Sequence, residues 1–149
     1  MIRAKSVLWL LFIVTACLPI IVVAQPAGGR IISDVVVDEH KETTDLRIEF
    51  TFPVRYVSHY PETSGDTLEI KLKEVVISSV DAGFLYERES VRLPKTRLIP
   101  LLDISYEGDL PGGPYLTIRF RSPVSYKVSQ GSDFRSLLVT VNNNITDPH

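Results

Sequence analysis

Leu46-Arg47-Ile48-Glu49-Phe50-Thr51-Phe52-Pro53-Val54-Arg55-Tyr56 and Leu116-Thr117-Ile118-Arg119-Phe120-Arg121-Ser122-Pro123-Val124-Ser125-Tyr126 decide the fold of this chain. In both, apolar residues occupy every second position up to the phenylalanine, the period of a strand with one greasy and one wet face. Leu, Ile, Phe, Pro, Val and Tyr recur at matching positions at an offset of 70. Six such matches in register over eleven residues point to an internal duplication rather than to chance.

The likeness extends beyond these two segments. Past the tyrosines a one-residue deletion changes the offset to 69 and aligns Leu68, Ile70 and Leu72 with Leu137, Val139 and Val141. Upstream, Ile32–Val37 answers Leu102–Glu107. Pro53 and the run Glu62-Thr63-Ser64-Gly65-Asp66 punctuate the first copy as turns, and Pro111-Gly112-Gly113-Pro114 is a hairpin-type turn in the second. Each half therefore supplies about four short strands, too few to bury an apolar face alone. Two copies packed face to face can do so. The expected fold is all-β, an antiparallel β-sandwich of two pseudo-symmetric halves over residues 30–142, with a closed barrel as the alternative. Ser78–Pro100 is expected to be a connecting loop with one helical turn, and residues 143–149 a disordered tail.

The first residues have the layout of a secretory leader. Arg3 and Lys5 precede an apolar run from Val7, Pro19 breaks it, and Val22-Val23-Ala24 ends on the small residue that signal peptidase requires. The segment 1–24 is read as a cleaved signal peptide, and 25–29 as a flexible lead-in. This implies a periplasmic protein. Ile13-Val14-Thr15-Ala16 before Cys17 also fits a lipobox, which would make Cys17 a lipidation site and the product a membrane-anchored lipoprotein; a retained leader would likewise tie the chain to the membrane. Membrane association is expected only in those two cases.

Without residues 1–24 the chain of 149 residues keeps 14 basic and 18 acidic side chains, a balance that excludes nucleic acid as the expected partner. Cys17 is the only cysteine, so the mature domain has no internal disulfide and no thiolate metal site. His40, His59 and His149 have no ligand spacing, no Gly-x-Ser-x-Gly elbow is present, and the carboxylates Glu39, Glu42, Asp45, Glu62 and Asp66 fall at strand ends and turns. No catalytic residue, metal or cofactor is expected.

What remains is a set of basic and amphipathic side chains. By strand parity Arg47, Arg55 and His59 point away from Leu46 and Ile48, and Arg119, Arg121 and Lys127 away from Leu116 and Ile118. Tyr60, Phe134 and Arg135 fall at strand ends or turns. Together these nine are the candidate ligand-binding residues, suited to a sugar-rich or acidic polymer: aromatic faces take sugar rings and guanidinium forks take carboxylates. Tyr56 and Tyr126 share the parity of the apolar set and are assigned to the core margin.

The repeated half, an alternating strand followed by Pro-Val-x-Tyr, a turn and a second alternating strand, resembles the AMIN domain of bacterial envelope proteins. The likeness covers residues 30–142. It implies a β-sandwich of two related sheets that localises proteins in the periplasm by binding peptidoglycan or another envelope glycan. Members also occur in secretins and pilus systems, so docking onto an envelope protein complex is the alternative role. Against the family's Pro-x-Arg-apolar-Val-apolar-Asp pattern, Asp133-Phe134-Arg135-Ser136-Leu137-Leu138-Val139 keeps the arginine but lacks the proline and the final aspartate, so only Arg135 is carried over.

Overall fold

The computed structural model describes residues 29–75 and 82–143. The leader, Cys17, nearly all of the lead-in and tail, and His149 lie outside them.

Alternation in the sequence becomes strands: β1 (Ile32–Glu39), β2 (Thr43–Phe50), β3 (Val54–Tyr60), β4 (Ser64–Glu74), β5 (Arg88–Ser90), β6 (Leu101–Glu107), β7 (Tyr115–Gln130) and β8 (Ser136–Asn142), with a 3₁₀ turn at Ala82–Tyr86. One sheet runs β1-β2-β8-β7, using the C-terminal part of β7. The other runs β3-β4-β7-β6-β5, using the N-terminal part of β7. Every pairing is antiparallel, and the strands do not close into a barrel.

The duplication is written into the hydrogen-bond register. Leu46 faces Val139 and Ile48 faces Leu137 across β2 and β8, while Leu116 faces Ile70 and Ile118 faces Leu68 across β7 and β4. These are the same pairs at offsets of 70 and 69. Likewise the Thr51 N–H donates to the Ile31 carbonyl at 3.0 Å and the Arg121 N–H to the Pro100 carbonyl at 2.8 Å. An approximate twofold relates the halves.

Three expectations are corrected here. First, the halves do not pack as two separate layers: each sheet takes strands from both. Within the first half the strands form only two-stranded hairpins, β1-β2 and β3-β4, which are marginal alone; pairing β2 with β8 and β4 with β7 joins them to the strands of the second half. Second, β1 matches β6 at an offset of 69, because Val35 and Val37 pair with Ile48 and Leu46 as Ile104 and Tyr106 pair with Ile118 and Leu116. A one-residue slip would turn the whole strand over. Third, β3 contains a bulge: Tyr56 pairs with Leu72 and Ser58 with Lys71, leaving Val57 unpaired. Val57 is the extra residue behind the change of offset. Beyond it the parity inverts, so His59 is half-buried rather than outward-facing, in the place that Val128 holds in the other half.

The core is the alternating set itself. Leu46, Ile48, Leu68, Ile70, Ile104, Leu116, Ile118, Leu137, Val139 and Val141 are fully buried in one cluster that spans both sheets. Each such side chain contributes roughly 1.5–3 kcal/mol of transfer free energy. The copies differ at their corners. Ser122 is half-exposed in β7, which runs through uninterrupted, whereas its counterpart Phe52 is buried between Phe50 and Tyr106, with ring centroids at 6.1 and 6.4 Å. Turning a phenylalanine inward breaks the strand into β2 and β3.

Gln130 ties this corner together. Its Oε1 accepts the Tyr56 N–H at 2.7 Å, and its Nε2 donates to the carbonyls of Val54 at 3.2 Å and Ser136 at 3.1 Å. Gln130→Met keeps the bulk but leaves a half-buried amide and carbonyl unpaired. We expect a loss of about 2 kcal/mol in urea denaturation; a loss within the error of that measurement would show the corner is held by packing alone.

Candidate functional site

The end of β3 and the turn after it gather the most chemistry. The Glu62 carbonyl can only accept, so at 2.7 Å it fixes the proton on His59 Nε2, and Nδ1 then accepts from the Tyr56 hydroxyl at 2.7 Å. The ring also packs against Tyr126, centroid to centroid at 6.2 Å. Tyr126 is the twofold partner of Tyr56. Its buried hydroxyl is shifted upward by desolvation, stays protonated, and donates to the Pro61 carbonyl at 2.9 Å. The assignment of both tyrosines to the core margin agrees with their burial: Tyr126 is buried and Tyr56 half-buried.

Two grooves flank His59. One, of about 280 Å³, is lined by Ser58, His59, Tyr60, Glu69, Lys71 and Tyr115. The strand register builds it: Ser58 lies opposite Lys71 and Lys71 opposite Tyr115, while Tyr60 lies opposite Glu69. Tyr60 is 75% exposed, so an aromatic ring stands free beside an ammonium and a carboxylate. The second groove, about 530 Å³, is lined by Glu62, Thr63, Ser125, Lys127, Val128 and Asn142 together with His59 and Tyr126.

Of the nine candidates, His59 thus shares one groove with Tyr60 and the other with Lys127. The others line neither. Arg47 lies in β2, in the other sheet, with its guanidinium 3.3 Å from the Glu49 carboxylate. Arg55 stands opposite Lys73 on β3, beside a small recess of about 150 Å³. Arg119 and Arg121 are exposed along β7, Arg119 in register with Thr67 and Asp103. Phe134, 50% exposed and at φ 54°, and Arg135 occupy the turn before β8. There the Arg135 Nη1 donates to the Thr51 carbonyl at 3.0 Å, and Asp133, held below the usual carboxylate range by the Arg135 N–H at 2.9 Å, steadies the turn. Arg135 is therefore engaged with its own chain.

Lys71, Glu69 and Tyr115 are groove residues that strand parity did not single out. Parity shows that a side chain is wet; only the cross-strand register shows which wet side chains are neighbours. Among the described residues, no three His, Cys, Asp or Glu side chains assemble into a metal-holding group. A scan against protein-family models, a search of curated proteins and a search of solved structures return no match to this chain.

Proposed function

We propose that the chain is a non-enzymatic module of the periplasm that binds peptidoglycan, or another envelope glycan, and serves placement rather than reaction. One observation carries the reading: Tyr60 and Tyr115 border a groove with Lys71, His59 and Glu69. Exposed aromatic faces stack on sugar rings, an ammonium takes the carboxylates of wall peptides, and a carboxylate takes sugar hydroxyls. The leader-like first residues and the AMIN-like repeat support the same compartment and ligand class.

Co-sedimentation with purified sacculi tests it. The purified protein should be retained above a control protein of similar charge. Tyr60→Ala with Lys71→Ala should cut retention about tenfold, since each contact is worth roughly 0.5–1.5 kcal/mol. Both residues are clear of the core, so circular dichroism should not change. Retention no better than the control would refute wall binding; retention indifferent to the double variant would move it away from this groove.

A further inference from the structure

The twofold exposes an asymmetry between the sheet edges. In one sheet the outer edge of β6 is covered: Glu89 of β5 pairs with Tyr106, the Val91 N–H donates to the Ile104 carbonyl at 3.0 Å, and the Gly108 N–H donates to the Glu87 carbonyl at 3.0 Å. The equivalent edge of β1, at Val35, Val37 and Glu39, has no backbone partner among the described residues. The hairpin fixes which groups point outward. His40 donates to the Thr43 carbonyl at 2.8 Å, so the even residues, Asp38, Val36 and Asp34, bond to β2 and the odd ones face away. Consistent with this, the Val35 N–H is taken by its neighbour's carboxylate, Asp34 Oδ1, at 2.8 Å.

The chain between Val91 and Arg97 is tied to β1 at its two ends, by side-chain contacts rather than by a ladder. It is held at one end by Glu89, whose carboxylate accepts the Ile31 and Ile32 N–H groups at 2.8 and 3.0 Å. At the other end Glu39 accepts the Arg97 N–H at 2.8 Å. Between β1 and the start of that segment lies a groove of about 370 Å³.

Charge says what fits. Residues 31–50 carry six acidic side chains against two basic ones, the same excess as the whole chain after residue 24. On the outer face Asp34 stands opposite Glu49 and Asp38 opposite Asp45. Like charges in such cross-strand pairs repel. A second copy pairing antiparallel through Val35 and Val37 would bring Asp34 against the other Asp38, so the edge repels itself.

We infer that the β1 edge accepts an extended segment of a partner protein, added antiparallel as β5 is added to β6, with Lys or Arg four residues apart opposite Asp34 and Asp38 and apolar residues between. The backbone groups of Val37 and Glu39 and the Val35 carbonyl supply the ladder, and the two aspartates supply the selectivity. The surface is separate from the His59 grooves, so the inference is independent of glycan binding. At the offset of β1 to β6, the positions equivalent to Glu87–Val91 are Leu18–Val22, inside the segment read as a leader, whose removal would leave this edge without a strand of its own.

The test is titration of the purified full-length protein, observed by amide NMR, with a blocked peptide carrying Lys-Val-Thr-Val-Lys and with its Glu-Val-Thr-Val-Glu counterpart. We expect the basic peptide to shift and protect the Val37 and Glu39 amides, and the acidic one to bind at least about tenfold more weakly. Asp34→Lys with Asp38→Lys should reverse the preference. Val37→Pro removes an outward N–H and trims a side chain packed against the core, spares the hydrogen bonds that the even residues make to β2, and should abolish binding while urea denaturation still shows a folded protein. Equal affinity for both peptides, or shifts confined to other strands, overturns the inference. So does protection of Val37 without peptide: if it rises with protein concentration the occupant is a second copy, and if it does not the occupant is the chain's own N-terminal segment.

Discussion

Ile48→Ala and Ile118→Ala should each cost about 2–5 kcal/mol, and by similar amounts, although they are far apart in sequence. Both residues are fully buried at matching places, Ile48 between Val35 and Leu137, Ile118 between Ile104 and Leu68. Each truncation removes the transfer free energy of the lost carbons and leaves a cavity among aliphatic neighbours at equivalent places. The double variant should approach the whole stability of a domain of this size, on the order of 5–15 kcal/mol. Because each sheet draws on both halves, neither half can melt alone. Urea denaturation followed by far-ultraviolet circular dichroism and by tyrosine fluorescence should therefore give one coincident transition for each single variant. Two separated transitions, or very unequal losses, would contradict the interleaved core.

The second large effect is expected at Gly108, just past β6. A Cβ there would collide with the Leu85 carbonyl oxygen, and would lie 2.8 Å from the Leu85 carbonyl carbon and 2.9 Å from the Glu87 carbonyl oxygen. These are backbone atoms and cannot swing aside. They are also in use: the Leu85 carbonyl accepts from the buried Tyr106 hydroxyl at 2.8 Å, and the Glu87 carbonyl accepts the Gly108 N–H at 3.0 Å. Gly108→Ala must push the Ala82–Tyr86 turn off the sheet, breaking the contact that caps Tyr106. We expect a cost of about 3 kcal/mol or more, comparable to severe overpacking. Gly83, where an added Cβ meets nothing within 4 Å among the described residues beyond its chain neighbours, is the control and should tolerate alanine. Thermal unfolding of the two variants side by side decides it; a Gly108→Ala protein as stable as the control would mean that the turn yields freely.

Burial of the Tyr106 hydroxyl bears on the same point. Desolvation, helped by the nearby Glu74 charge, drives its ionisation far above the ordinary tyrosine range. It thus remains a donor throughout the neutral and mildly alkaline range, and the cap on the Leu85 carbonyl persists with it.

How much of this was legible beforehand follows from which features are local. Period-two alternation is a property of neighbouring residues, so Leu46, Ile48, Leu116, Ile118, Leu137 and Val139 declared themselves as core, and their recurrence at a constant offset declared the duplication. The bulge left only the trace of a one-residue deletion. That trace gave no position, and a parity count carried across Val57 turned His59 to the wrong side. The groove at Tyr60 was half legible: Tyr60 and His59 stood out as residue types, while Lys71, Glu69 and Tyr115 became their neighbours only through pairing of three strands distant in sequence.

The sequence by itself thus determined an all-β chain, its two matching halves and the residues that fill its core, because each depends on spacing along one strand. Tertiary structure alone decided that the halves interleave, that His59 turns inward between two tyrosines, and that β6 has a covering strand while β1 has none among the described residues. Those outcomes depend on hydrogen-bond register between strands tens of residues apart, where one residue more or less exchanges the faces of a strand, and no local pattern records it.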